Sequence, residues 1–99
     1  MDPVNQPAHY KAEVDNKLAT VRVALLEDME MNLGNLECFE AMVNHLSTLD
    51  EIRGYLRGNS FKYRWRYRSK AGLQDLRKAG WYENKLLILE QTLSEMPHV

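Results

Sequence analysis

A chain of 99 residues, 44% of them hydrophobic, makes one small domain with a thin core, so part of its stability is expected to come from an oligomer interface. The single cysteine, Cys38, excludes an internal disulfide and is expected as a small buried thiol in a reducing cytoplasm. No apolar run exceeds four residues and no signal peptide opens at Met1-Asp2-Pro3, so a soluble cytoplasmic protein is expected, with no membrane partner.

The net charge of −1 hides a divided molecule. Nine of the thirteen basic residues lie between Arg53 and Lys78 with one acid, Asp75, while acids dominate the remainder. Residues 1–12 carry two prolines among polar residues and are expected as an extended arm ending near His9-Tyr10. Such an arm could cover a pocket, dock on a neighbouring subunit, or fray. From about Glu13 to Met31 the residues Val14, Leu18, Val21, Leu25 and Met29 form one helical stripe, and Asn32 to Asn35 supply its stop. A second helix is predicted over 36–46, with Leu36, Phe39, Val43 and Leu46 inward and His45 near its end as a surface or charge-pairing residue.

Thr48 and Glu51 then read as a capping box. The helix they open runs through Gly54 and Gly58 into Asn59-Ser60-Phe61-Lys62-Tyr63-Arg64-Trp65-Arg66-Tyr67-Arg68. Helical spacing sets Asn59, Lys62 and Arg66 in line with Lys70, and rings interleave with the cations. Guanidinium and ammonium groups attract phosphate and flat rings stack on bases, so the segment suits a phosphorylated, ring-bearing ligand. A solvated basic face backed by core aromatics is the plainer alternative. Residues 69–72 are a predicted turn. The last helix is predicted over 73–96 with Leu73, Leu76, Gly80 and Leu87 inward, Asp75 able to pair locally with Lys78, and Trp81-Tyr82 in the core.

No phosphate-binding glycine loop, dinucleotide fingerprint or Cys/His cluster is present in the sequence, so no metal ligands are assigned. Any magnesium would have to use scattered acids such as Asp50, Asp75 or Glu83, none of them marked by spacing.

Several ordered motifs carry a resemblance: Val4-Asn5-x-Pro7-x-His9-Tyr10, Glu37-Cys38, Gly58-Asn59-x-x-Lys62-Tyr63-x-x-Arg66, and Lys70-x-Gly72-x-x-Asp75-Leu76-x-Lys78-Ala79-x-Trp81-Tyr82. Together they resemble a small bacteriophage nucleotide kinase-like family, long catalogued as a phage domain of unknown function, with one coliphage member that phosphorylates dTMP and dGMP. Family members pass from His-Tyr to Glu-Cys within a few residues, whereas here 11–36 intervene as an inserted helix. The resemblance implies a ligand pocket of His9, Tyr10, Asn59, Lys62, Tyr63, Arg66 and Lys70. In it Lys62, Arg66 and Lys70 would neutralise phosphate, Asn59 would bond base or sugar, and Tyr10 or Tyr63 would stack. Mg and ATP would then be the cofactors, and the infected host's cytoplasm the location.

The expected architecture is an all-α small helical bundle built on a long helical hairpin, as a homo-oligomer. The expected function is phosphoryl transfer to a deoxynucleoside monophosphate, with the catalytic residues unknown. The alternative is a non-catalytic sponge that sequesters a host cyclic or signalling nucleotide in defence evasion. A nucleic-acid module is the third option, disfavoured by the acidic remainder.

Overall fold

The structure, a computed structural model, describes residues 8–27 and 36–96. Four helices follow in order: α1 (Ala8–Leu26), α2 (Leu36–His45), α3 (Leu49–Arg66) and α4 (Leu73–Glu95). There is no strand among the described residues, so the bundle is all-α. Helices α3 and α4 form the long antiparallel hairpin, α1 packs mainly on α4, and α2 rests against α1. The molecule is elongated, 55 × 25 × 22 Å, with a radius of gyration of 15.9 Å. No described helix is long and apolar enough to cross a membrane.

Helix α1 starts at Ala8, ahead of the expected start near Glu13. Proline's fixed φ suits a helix entry, where a missing N–H costs nothing, so a proline in the sequence just before Ala8 does not exclude a helix that begins there. Ala8, Lys11 and Ala12 are strong helix formers. Of the arm expected as extended over 1–12, residues 8–12 are helical instead, and 1–7 lie outside the described residues, as does Met29 of the expected stripe. Within the stripe Leu18, Val21 and Leu25 are buried and Val14 is exposed. The stretch read as an insertion therefore supplies core: these residues join Phe39, Val43, Ile52, Leu56, Trp81 and Leu89 in one cluster. Burial stabilises each such large side chain by about 1.5–3 kcal/mol.

Two cations fasten the helices end to side. Lys85 of α4 is buried, and its Nζ donates to the carbonyls of Leu25 at 2.8 Å and Glu27 at 3.3 Å, capping the end of α1. Arg22 of α1 donates to the carbonyls of Val43 at 3.1 Å and Leu46 at 2.6 Å, capping the end of α2. Carbonyls at a helix end lack partners within the helix, and a cation there also complements the dipole.

The Thr48 cap of the expected capping box forms, while the Glu51 carboxylate reaches back to hydroxyls. Thr48 is extended (φ −132°, ψ 155°), and its hydroxyl accepts the Glu51 N–H at 3.1 Å. The Glu51 carboxylate accepts from the hydroxyls of Thr48 and Ser47, both at 3.1 Å. Thr48→Ala is expected to cost about 1 kcal/mol in a urea titration; no change would show that α3 is held by packing alone.

The buried face of α4 differs from expectation. Asp75, Ala79, Trp81, Lys85 and Leu89 are buried, while Leu73 and Leu87 are exposed and Gly80 carries no buried surface role. Two charged residues, Asp75 and Lys85, stand on the buried stripe, so hydropathy alone rotated the helix away from its true inner face. Cys38 likewise departs from expectation, being exposed. It sits on α2 beside buried Phe39, on the helix's outer side.

Candidate functional site

The hairpin ends in a tight connection. Helix α3 stops at Arg66, so Tyr67 and Lys70 lie in the turn and do not extend the helical line. Gly72 closes the turn with φ +57°, a conformation side-chain-bearing residues rarely adopt, and its N–H donates to Tyr67 O at 2.9 Å. The first turn of α4 brings Asp75 back over the end of α3.

Asp75 does not pair locally with Lys78 within ion-pair distance. Its carboxylate, with no exposed surface, accepts Arg66 Nε at 3.3 Å and Nη2 at 3.2 Å, and the Ala71 N–H at 3.0 Å. Burial pushes this carboxyl up, but the Ala71 N–H and the Arg66 guanidinium outweigh it and hold the group below the usual carboxylate range.

Tyr63 is the centre of the flank on which Asn59, Lys62 and Arg66 lie. Its ring stacks near-parallel on Tyr82, with centroids 5.9 Å apart. Three cations surround the same ring: Lys62 Nζ at 4.7 Å, Arg66 Cζ at 4.8 Å and Lys78 Nζ at 5.3 Å from its centroid. Behind it Tyr82 contacts Tyr55, Phe39 and Trp81, so the flank is continuous with the core. Burial, with the Tyr55 hydroxyl beside it, pushes the Tyr82 phenol well above its ordinary range, leaving it a neutral hydrogen-bonding group at physiological pH. Asn59, one turn from Lys62, spends its amide nitrogen on Tyr55 O at 2.9 Å.

The structure therefore brings together four of the expected pocket residues: Asn59, Lys62, Tyr63 and Arg66. Lys70 is exposed in the turn. His9 and Tyr10 belong to the first turn of α1 by backbone, and their side chains lie outside the described part. Sequence reasoning left Lys78 and Tyr82 out of the pocket. Their positions one helical turn apart on α4, level with Tyr63 across the hairpin, were the signal available.

The remaining cations turn elsewhere. On the opposite flank Arg57, Gly58, Ser60, Phe61, Arg64, Glu83 and Leu86 line an open groove. There the Ser60 hydroxyl donates to Glu83 at 2.8 Å and Arg64 pairs with the same oxygen; together they hold the Glu83 carboxyl below its ordinary range. The three acids considered for magnesium are thus each committed to an arginine of α3: Asp50 to Arg53, Glu83 to Arg64 and Asp75 to Arg66. As paired carboxylates they do not fit a magnesium site. Among the described residues no three His, Cys, Asp or Glu side chains converge as metal ligands.

Fold and site define an all-α hairpin protein that gathers cations around one tyrosine on a flank continuous with its core. Comparison with known families places it more narrowly. The chain belongs to the DUF3310 family, proteins of unknown function, whose family model matches residues 4–84 and so spans α1, α2, α3 and the first half of α4. No curated protein and no solved structure matches the chain.

Proposed function

We propose that the Tyr63 flank binds the phosphate of a nucleotide, and that the protein transfers a phosphoryl group from ATP to a deoxynucleoside monophosphate. The observation that carries the binding is the convergence of Lys62, Arg66 and Lys78 on one ring with a single carboxylate, Asp75, which is spent on Arg66. Among the described residues no carboxylate pairs with Lys62 or Lys78. Two ammonium groups held beside an aromatic face, and in no ion pair among the described residues, attract phosphate oxygens. The tyrosine fixes the cations, so base stacking falls to a ring other than the occupied face of Tyr63.

Phosphoryl transfer rests on the motif resemblance together with this charge: a positioned cationic cluster can neutralise the transferring group. The second proposal is capture without turnover, in which the protein sequesters a host signalling nucleotide in the infected cell. What favours it is the commitment of Asp50, Asp75 and Glu83 to arginines, which leaves a binding site better furnished than a catalytic one.

A phosphorus NMR time course with ATP, magnesium and dTMP or dGMP separates the two. New diphosphate resonances are expected, with rates falling about tenfold or more in Lys62→Ala and Lys78→Ala, since each loses a charge-assisted contact. Lys17→Ala, on α1 and paired with Glu13, should leave them unchanged. Nucleotide bound intact with no turnover would replace transfer by capture. A protein that binds neither these nucleotides nor cyclic ones would sink both.

A further inference from the structure

The outer face of α3, opposite the stripe of Ile52, Leu56 and Ser60 buried against α4, is uncovered among the described residues. Phe61 and Trp65 stand on it, 67% and 79% exposed. They stack on each other with centroids 5.9 Å apart and planes 18° from parallel. Two large exposed rings on a small protein mark a contact surface. One and two turns earlier on the same stripe are Gly58 and Gly54, since positions 54, 58, 61 and 65 repeat at helical spacing. Among the described residues nothing requires these glycines: a Cβ built at either meets no atom within 4 Å. Glycine weakens a helix interior, so its use twice on an open face points to something arriving from outside.

We propose that this stripe is the interface on which a second copy of the chain pairs, α3 against α3, in antiparallel register. When Gly54 is set level with Trp65 of the second copy, Gly58 falls level with Phe61 of the second copy. Every ring then meets a position with no side chain, the backbones approach closely, and the rings fill the space the glycines leave. A parallel pairing would oppose ring to ring and glycine to glycine, leaving a clash at one end and a void at the other. The antiparallel register also sets Asp50 at the start of one α3 beside the turn that follows the other, which carries Arg68, at both ends. Asp50 is 91% exposed and pairs with Arg53 of its own chain, leaving its carboxylate accessible to a second arginine, and Arg68 has no ion pair among the described residues. At mid-interface Arg57 falls level with Lys62 of the second copy. Those like charges flank the rings, so pairing strengthens as salt rises. A nucleic-acid strand on the same rings would behave in the opposite way.

Sedimentation equilibrium of the full chain at micromolar concentration, in low and high salt, tests this. The expected result is a species of twice the 11.6 kDa chain mass, favoured by salt. Trp65→Ser and Gly58→Leu should each weaken it about tenfold or more. Gly58→Leu adds its side chain to open space, so its circular-dichroism melt should show a folded, helical chain. A monomer at every concentration, or a dimer indifferent to both substitutions, overturns the interface. Sensitivity to Trp65→Ser without sensitivity to Gly58→Leu overturns the register. A monomer that binds oligothymidylate through Phe61 and Trp65 overturns the proposal in favour of a nucleic-acid strand.

Discussion

Replacing Phe39 by alanine should cost about 3–5 kcal/mol of folding stability, the usual range for emptying a buried aromatic site. Phe39 is 1% exposed and meets the edge of Trp81 with centroids 4.7 Å apart; Tyr55 and Tyr82 lie 6.1 and 6.2 Å away. It is also the large side chain through which α2 enters the core, since only Phe39 and Val43 of that helix are buried among its described side chains. The cavity left behind cannot close easily, because Trp81 is packed between Phe39, Tyr82 and the Lys85 ammonium. A domain of this size has only about 5–15 kcal/mol in total, so the variant should stand near the edge of folding. Urea unfolding followed by circular dichroism measures the loss. A change under about 1 kcal/mol would mean that the aromatic cluster is not where the stability resides.

Asp75→Asn should produce the next largest loss, visible as a lowered melting temperature and, more tellingly, a changed acid limb. The native carboxyl titrates below its unfolded value, near 3.9 for an ordinary Asp. Its contribution is therefore complete above that value and is lost as pH falls through it toward the native one. The wild-type melting temperature should drop over that acid window, and the Asp75→Asn curve should start lower but fall less steeply there. Asparagine can still accept the Ala71 N–H, but Arg66 loses its counter-ion beside the Tyr63 ring. Identical acid slopes for the two proteins would remove Asp75 as the group that fastens the hairpin end.

Much of the frame is legible in local sequence because its signals are local. Thr48 and Glu51 mark the start of α3, Gly72 marks the close of the turn, and Leu18, Val21 and Leu25 fall on one stripe at helical spacing. The inner face of α4 is not legible in this way. Its stripe includes a charged residue satisfied by a carbonyl sixty positions away, Lys85 to Leu25, and another satisfied by an arginine across the turn, Asp75 to Arg66. Hydropathy has no means of marking a buried charge whose partner comes from another helix. The candidate site is divided for the same reason. Asn59, Lys62, Tyr63 and Arg66 share a flank by spacing on α3, but Lys78 and Tyr82 join them only once the register of the hairpin is set. The single basic segment of the sequence becomes two flanks because α4 lies along it, taking Arg64 to Glu83 on one side and Arg66 to Asp75 on the other.

The long hairpin has a hydrodynamic consequence. A compact chain of this length has a radius of gyration of about 13 Å, against 15.9 Å and a long axis of 55 Å here. A rod-like particle experiences more drag than a sphere of equal mass, so this chain should leave a gel-filtration column ahead of globular standards of its own weight even as a monomer. Elution volume would therefore overstate its mass, and only a method independent of shape, such as light scattering or equilibrium sedimentation, counts its copies correctly.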